Sequence, residues 1–258
     1  MKRWAVVSDI HGNLPALESV LADARGVDGW LNLGDIVSGP LWPRETAALL
    51  MMLDWPTIAG NHERQLLTLP RARMGASDAY AASALTDAQR AWLASLPATL
   101  NPAAGPYCVH GAPGNDLQYL LETVTPAGLR TATDAELDTR LGGIAVPMLL
   151  CGHSHVPRCR PHAGGLVANP GSVGLQAYDD MHPHAHVVEN GSPHARYAIV
   201  ESGPAGWQVL LREVPYDHET AAQRAERNGR GDWADALRSG RVGRTEAEVM
   251  RSARAAPR

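Results

Sequence analysis

Phenylalanine is absent from this chain of 258 residues, and aromatic residues make up only 5% of it. Proteins that bind single-stranded nucleic acids stack the bases on aromatic side chains, so this composition provides little material for such a surface. The formal net charge is −4, which leaves no overall basic field to attract a polyanion. We therefore do not expect a long nucleic acid as a partner.

Cysteine is scarce, and the three that occur, Cys108, Cys151 and Cys159, form no CxxC pair. An odd number without such pairs argues against a disulfide framework and fits a reducing compartment. Cys108 and Cys151 each stand two residues before a histidine, so a thiolate metal site is one interpretation. We favour the alternative of buried thiols, because both residues lie inside apolar runs, where a small sulfur side chain is ordinary.

Long hydrophobic runs are also missing. No stretch approaches the roughly 18 apolar residues that identify a membrane span, and the first ten residues predict a strand instead of the apolar core of a signal peptide. These observations predict a cytoplasmic protein without a membrane partner. A chain of 258 residues can bury a complete core, so we expect one α/β domain with additions.

Short apolar runs alternate with helical patterns near the start of the chain. Asn13 is a candidate N-cap for a first helix, with Leu14, Leu17 and Val20 on one side. A second helix is predicted over residues 45–53. The predicted strands of this part cover residues 4–8, 30–33 and 57–59. Strand, loop and helix in this order predict a mostly parallel sheet.

Residues 64–105 interrupt the alternation and predict a helical insertion, in which residues 86–89 have capping-box spacing. Further strands are predicted at 106–109, 147–150, 165–168, 197–201 and 207–214, and the last two form an antiparallel hairpin. Residues 218–258 predict a charged helical extension with a second capping box at 245–248. We interpret the Arg-rich residues 251–254 as a solvated tail, with a basic arm as the alternative.

Side chains that bind divalent cations directly follow the apolar runs at five places along the chain. These residues are Asp9, His11, Asp35, Asn61, His110, His153 and His155. Carboxylate, imidazole and amide groups suit hard and borderline divalent ions, and the ends of parallel strands bring distant residues together around one crevice. The sequence therefore predicts an enzyme with two divalent metal ions.

Each of these residues also has an ordinary structural explanation. A strand-end Asp is commonly a helix cap, a lone His is usually a hydrogen-bonded polar side chain, and Gly-Asn or Gly-Asp is usually a turn. Five elements in sequence, each at a boundary between strand and loop, argue against coincidence. Two neighbouring cations can turn water into a hydroxide nucleophile and neutralise phosphate oxygens. Hydrolysis of phosphate esters is therefore the predicted reaction.

This set of motifs resembles that of the calcineurin-like metallophosphoesterase superfamily, over residues 4 to about 217. The motifs are Asp9-x-His11, Gly34-Asp35, Gly60-Asn61-His62-Glu63, His110-Gly111 and Gly152-His153-x-His155. The short last motif and the later Asn169-Pro170-Gly171-Ser172 resemble the compact bacterial and archaeal phosphodiesterase branch. The resemblance implies a four-layer α/β/β/α sandwich, with the metallophosphoesterase domain over residues 1–217.

The resemblance also implies roles for individual residues. It places one metal with Asp9, His11 and His155, the other with Asn61, His110 and His153, and Asp35 as the bridge between them. His62 would face the substrate and give a proton to the leaving oxygen, or stabilise the phosphoryl charge. Glu63 stands where the family usually has Asp, and it would accept a hydrogen bond from the His62 imidazole. We favour Mn²⁺ as the bound metal, although Fe, Zn, Co and Ni also suit the mixed N and O ligands.

Two further features remain open at this point. Arg196, just before a predicted strand, is a candidate contact for substrate phosphate, with an ordinary surface charge as the alternative. Residues 182–186 contain three histidines and invite a third metal site or a phosphate contact. We favour a mobile surface loop, because Pro183 and the neighbouring polar residues are typical of loops.

The expected function is hydrolysis of a small phosphodiester, a nucleotide or a dinucleoside polyphosphate. A protein Ser/Thr phosphatase is the main alternative, because the same motifs occur in that branch. A nuclease is disfavoured by the acidic balance, and a non-catalytic scaffold of the same fold is disfavoured by the complete ligand set. The sequence is compatible with a homo-oligomer and does not specify one.

Overall fold

Two facing β-sheets organise the computed structural model, which describes residues 2–102 and 105–255. The helices are α1 Leu14–Asp23, α2 Pro43–Leu53, α3 Asn61–Thr68, α4 Ala76–Ala84, α5 Asp87–Ser95, α6 Asp134–Leu141, α7 His218–Arg227, α8 Gly231–Ser239 and α9 Glu246–Ala255. The strands are β1 Lys2–Val7, β2 Gly29–Asn32, β3 Thr99–Leu100, β4 Tyr107–Val109, β5 Glu122–Thr125, β6 Gly128–Thr131, β7 Met148–Leu150, β8 Arg158–His162, β9 Gly165–Asn169, β10 Ala177–Asp180, β11 His186–Glu189, β12 Ala195–Gly203 and β13 Gly206–Val214.

The first sheet has the strand order β13-β12-β1-β2 and the second has β3-β4-β7-β9-β8. Between them lies one buried cluster that includes Trp4 and Val6 of the first sheet with Met148 and Leu150 of the second. Since side chains alternate along a strand, Ala5 and Val7 face the other way.

On that outer side of the first sheet, Val7 packs in a core cluster with Leu17 of α1 and Leu50 of α2. On the far side of the second sheet, Leu149 packs in a cluster with Leu137 of α6. Helices therefore cover both sheets from outside, and the predicted α/β/β/α sandwich is confirmed.

The first βαβ unit follows the sequence prediction. β1 and β2 are parallel, and Asn13 begins α1 by accepting a hydrogen bond from the Ala16 N–H at 3.3 Å. The strand predicted over residues 57–59 is wrong. Thr57 forms only an isolated parallel bridge with Asn32, because Pro56 has no N–H to donate and α3 begins only a few residues later, at Asn61.

The insertion contains α4, α5 and the short strand β3, with α5 beginning at the predicted capping box of Thr86 and Gln89. Residues 103 and 104 of the insertion lie outside the described part of the chain. The predicted antiparallel hairpin of β12 and β13 is present, with Ala195 opposite Val214.

Several elements of the second half were not predicted: the hairpin β5–β6, helix α6, strand β8 and the hairpin β10–β11. The loop expected over residues 182–186 is wrong in part, because His186 already belongs to β11 and pairs with Asp180. Residues 182–184 form the exposed connection of that hairpin.

The predicted helical extension is present as α7, α8 and α9. Ala222 of α7 and Trp233 and Leu237 of α8 pack in one cluster with Leu41 and Leu175 of the sandwich. Thr245 and Glu248 form the predicted capping box, and α9 continues through the Arg-rich segment to Ala255. Residues 256–258 lie outside the described part. Within the described ranges, no helix is long and apolar enough to cross a membrane.

Candidate metal centre

The structure brings the predicted metal ligands together in two neighbouring groups. Asp9, His11 and His155 form one group, and Asp35, His110 and His153 the other; within each group the candidate ligand atoms lie within 4.8 Å of one another. The amide oxygen of Asn61 joins the second group at 3.1 Å from His110 Nε2. All of these residues are buried except His153, which is partly exposed.

Strand ends from both sheets supply this arrangement. Asp9 follows β1 and Asp35 follows β2 in the first sheet, whereas His110 follows β4 and His153 follows β7 in the second. Asn61 is the first residue of α3. The centre therefore lies across the carboxyl edge of both sheets, as the sequence pattern indicated.

The backbone at the centre is strained. Asp9, His11, Asp35, His153 and His155 all have positive φ angles, between 51° and 67°. Residues other than Gly rarely adopt this left-handed backbone conformation, and those that do cluster at functional sites. The sharp turns direct consecutive side chains into the same space.

Two glycines permit the loops to approach each other. A Cβ atom on Gly34 would collide with the backbone N of Gly60, and a Cβ on Gly152 would collide with Ser8 Oγ. A β-carbon at these positions would push the loops that carry Asp35 and His153 out of place.

The hydrogen bonds of Asp9, His11 and His155 indicate whether this first group fits a metal cation. His11 Nδ1 donates to Ser38 O at 2.7 Å, and His155 Nδ1 donates to Leu175 O at 2.8 Å. Because a carbonyl oxygen can only accept, both Nε2 atoms carry lone pairs, and they lie 3.1 Å apart. Asp9 Oδ1 is buried near them without a hydrogen-bond partner in the described chain. Acceptors that face one another in this way fit a cation.

The second group has the same character. His110 Nδ1 donates to Leu33 O at 2.8 Å, and His110 Nε2 faces Asp35 Oδ2 at 3.0 Å and Asn61 Oδ1 at 3.1 Å. Burial lowers the pKa of His110, but the charge and hydrogen bond of Asp35, together with the charge of Asp9, outweigh burial and raise this pKa to about 9. Only a proton or a metal cation satisfies all three atoms, and a cation would displace the proton.

Two other histidines are already in the form that binds metals. Burial and the neighbouring His155 imidazole together lower the pKa of His11 to about 3. Burial and the charge of His110 lower the pKa of His153 to about 4. Both imidazoles are neutral at pH 7, which is the form that coordinates a metal.

His62 lies beside the two groups and belongs to neither. Its Nδ1 atom is 2.8 Å from Asp78 Oδ1, and its Nε2 atom is 4.0 Å from Asp35 Oδ2. Burial lowers the pKa of His62, but the Asp35 charge and the hydrogen bond to Asp78 outweigh it and raise the pKa to about 10. The His62 imidazole is therefore positively charged at neutral pH, and 29% of its side chain is exposed.

Glu63 was predicted to accept a hydrogen bond from the His62 imidazole, and this prediction is wrong. Glu63 accepts hydrogen bonds from the N–H groups of Asp35, Ile36 and Gly60 and does not contact the His62 imidazole. It fixes the loop that carries Asp35. Asp78 occupies the position beside His62 instead, and sequence analysis missed it because an acid in the first turn of a helix is common for electrostatic reasons.

The remaining candidates do not join the centre. The largely buried Arg196 guanidinium pairs with Glu213 at 3.1 Å across β12 and β13, and its contact with substrate phosphate stays a prediction. Burial raises the pKa of the Cys108 thiol to about 12. Cys108 and Cys151 are therefore neutral buried thiols, as favoured from the sequence.

His186 reaches the centre indirectly. Tyr119 lies against His153 and Tyr178 against His155, with ring centroids 4.9 Å and 4.8 Å apart. Tyr119 Oη is 2.6 Å from Tyr178 Oη and 3.2 Å from His186 Nε2. His186 thus contacts the aromatic side chains that pack against His153 and His155, and it belongs to neither group of candidate ligands.

Comparisons with known proteins agree with this geometry. A protein of Methanocaldococcus jannaschii, described as uncharacterized, is 25% identical over 244 residues, which cover 89% of this chain and 94% of that protein. The crystal structure of a metallophosphoesterase from Sphaerobacter thermophilus superposes with a TM-score of 0.73 at 26% identity, covering 93% of this chain and 99% of that one.

A hypothetical protein from Pyrococcus horikoshii, PH1004, has the same fold, with a TM-score of 0.72 at 22% identity and coverage of 94% and 100%. The family described as the calcineurin-like phosphoesterase superfamily domain matches residues 2–191, which is most of the chain. The chain therefore belongs to the calcineurin-like phosphoesterase superfamily.

Proposed function

We propose that this protein binds two divalent metal ions and hydrolyses a small phosphodiester. Mn²⁺ is the metal that we favour. One observation carries the proposal: carboxylate and imidazole side chains from distant parts of the chain meet in two neighbouring groups, and within each group their candidate ligand atoms lie within 4.8 Å of one another. The first group comprises Asp9, His11 and His155 and the second comprises Asp35, Asn61, His110 and His153. When bound, the two ions would supply an activated water molecule and neutralise the charge on the phosphoryl oxygens.

Asp35 is proposed as the bridging carboxylate. It is 1% exposed, and its Oδ1 atom accepts the backbone N–H of His62 at 3.0 Å. Burial raises the pKa of this carboxyl, but the charges of His110 and His62 outweigh burial and hold the pKa well below its ordinary value. Asp35 is therefore ionised at neutral pH and held in a fixed orientation.

His62 is proposed as the proton donor to the leaving oxygen. Its imidazole is charged, partly exposed and oriented by Asp78, so a proton is available at the open side of the centre. General acid catalysis of this kind contributes about 10²- to 10⁴-fold to a rate.

A diester is favoured over a phosphomonoester by the charges around His62. Arg64, two residues later in α3, makes a bidentate pair with Asp116 at 2.6 and 2.7 Å, which occupies its guanidinium. His62 then remains as the charged donor beside the metal ligands. One such donor suits the single negative charge of a diester better than the two charges of a monoester.

The test compares substrates after reconstitution with Mn²⁺ and measurement of bound metal per chain. We expect about two ions per chain and faster hydrolysis of bis(4-nitrophenyl) phosphate than of 4-nitrophenyl phosphate or a phosphothreonine peptide. Cyclic nucleotides and diadenosine polyphosphates then separate the diester classes. Preferential hydrolysis of the peptide would establish a protein phosphatase, and metal binding without any turnover would establish a scaffold.

A further inference from the structure

Helix α4 of the insertion contacts both His62 and the C-terminal extension. Asp78, in the first turn of α4, is 3% exposed and lies 2.8 Å from His62 Nδ1. The neighbouring residues Ser77 and Tyr80 of the same helix face the segment between α7 and α8. We call residues 228–230 of that segment the α7–α8 junction.

Two hydrogen bonds join the junction to α4. Asn228 Nδ2 donates to Tyr80 Oη at 2.9 Å, and it also lies 2.6 Å from Pro40 O of the sandwich. Arg230 Nη1 donates to Ser77 Oγ at 2.9 Å. The two bonds therefore hold α4 at Ser77, just before Asp78, and at Tyr80, just after it.

The junction is itself firmly held. Arg230 is 4% exposed, pairs with Asp232 at 2.6 Å and with Glu246 at 3.2 Å, and lies over the Trp233 ring at 5.7 Å. Trp233 in turn meets the edge of the His11 ring, with centroids 5.8 Å apart. A buried guanidinium with these partners cannot move without leaving a charge unpaired.

Helix α4 is short and buries little apolar surface of its own. It has nine residues, and its buried apolar side chains are Ala81 and Ala82. Isolated helices shorter than about 12–15 residues are marginal in water, and two alanines bury little area. The two bonds from the junction therefore add anchors on either side of Asp78 to the packing of α4 against α2 and α3.

We propose that the α7–α8 junction positions His62 for proton transfer, acting through α4 and Asp78. Asn228 and Arg230 are positioning residues in this proposal. Through them the C-terminal extension helps to orient the His62 imidazole. The inference rests on the proposed function, because it gives His62 a proton to deliver. It also makes a prediction about His62 that needs no turnover.

The test is the double variant Ser77→Ala/Tyr80→Phe, which removes both acceptors on α4 and leaves the junction intact. Two diesters are compared, one with a 4-nitrophenolate leaving group and one with an alkoxide. The alkoxide needs a proton as it leaves, whereas 4-nitrophenolate does not. We expect kcat to fall about 3- to 10-fold for the alkoxide diester, with KM and kcat for the nitrophenyl diester within about twofold of wild type.

Two further measurements assign the effect to Asp78 and His62. Adding Asp78→Asn to the double variant should lower kcat for the alkoxide no further than Asp78→Asn alone, within about twofold, because both act on one contact. In metal-free protein, proton NMR should show the His62 Nδ1–H resonance in wild type, and the double variant should broaden it or lose it through exchange with solvent.

Glu226→Gln is the matched control, because it breaks the ion pair with Arg238 in the same extension without touching α4. It should behave as wild type. An equal loss for both diesters, a loss additive with Asp78→Asn, or an unchanged His62 resonance would overturn the proposal. Absence of turnover in metal-loaded wild type would instead contradict the proposed function, and the NMR comparison would still decide the inference.

Discussion

The left-handed backbone at the candidate ligands is the feature that matters most at the scale of single residues. Five of them, Asp9, His11, Asp35, His153 and His155, have positive φ angles. A residue held in such a sparsely populated region costs on the order of 1–3 kcal/mol, which the surrounding fold must offset. The centre is therefore preorganised at the expense of stability.

Substitution of Asp35 tests the proposed bridge. Asp35→Asn removes the charge that would be shared by two cations and keeps the size of the side chain. We expect activity to fall by about 10³-fold or more and bound metal to fall below the wild-type stoichiometry. Activity assays with elemental analysis check this, and unchanged activity would exclude a bridging role.

Substitution of His62 tests the division between metal ligands and proton donor. His62→Ala should keep the wild-type metal content and lose about 10²-fold or more of kcat for an alkoxide diester. Metal content is measured together with turnover. Loss of an ion in this variant would mean that His62 is a ligand.

Sequence analysis could predict which candidate ligands meet at the centre but not the surroundings of His62. The ligands are local signals, because each follows an apolar run. Asp78 lies 16 residues from His62, and its contact depends on how α4 packs. Glu63 was assigned the role that Asp78 has, since proximity along the chain does not determine proximity in space.

At the scale of elements, Tyr197 and Asp23 join β12 to the end of α1. Tyr197 is 1% exposed, and its Oη atom donates to Asp23 Oδ2 at 2.6 Å. Burial and this hydrogen bond raise the pKa of Tyr197 from 10.0 to about 12. The hydroxyl is thus neutral and bonded at pH 7.

The raised pKa predicts how stability depends on pH. The folded state binds the tyrosine proton more tightly than the unfolded state, so this contribution is complete below about pH 10 and is lost as pH rises towards 12. We expect wild type to exceed Tyr197→Phe in free energy of unfolding by about 1 kcal/mol at pH 8. Urea denaturation between about pH 8 and pH 11 should show this difference shrinking; a constant difference would contradict the assignment.

The strands of the two missed hairpins have one physical character in common. β5, β6, β10 and β11 have four residues each and mix polar with apolar side chains, so no alternation of apolar residues and no continuous apolar run in the sequence marks them. The parallel strands were predictable because burial on both faces gives uninterrupted apolar runs. Helices α1 and α5 were predictable from the side chains that cap them.

At the scale of the whole molecule, candidate ligands that follow strands of both sheets couple metal binding to folding. A ligand that binds only the folded state stabilises it by about 2.7 kcal/mol at 100 times its Kd. For a chain of this size, one such ion raises Tm by roughly 5–10 °C. Thermal unfolding with Mn²⁺ and after chelation checks this, and re-addition of Mn²⁺ should restore both Tm and activity. Equal Tm values would argue against tight binding at the centre.

His11 and His155 are neighbours in space although 144 residues separate them in the sequence. During synthesis, a ribosome must therefore complete more than half of the polypeptide before the pocket of Asp9, His11 and His155 exists. Acquisition of ions is a late event in the life of each molecule, and a truncated translation product that ends before His155 would lack a complete pocket to fill.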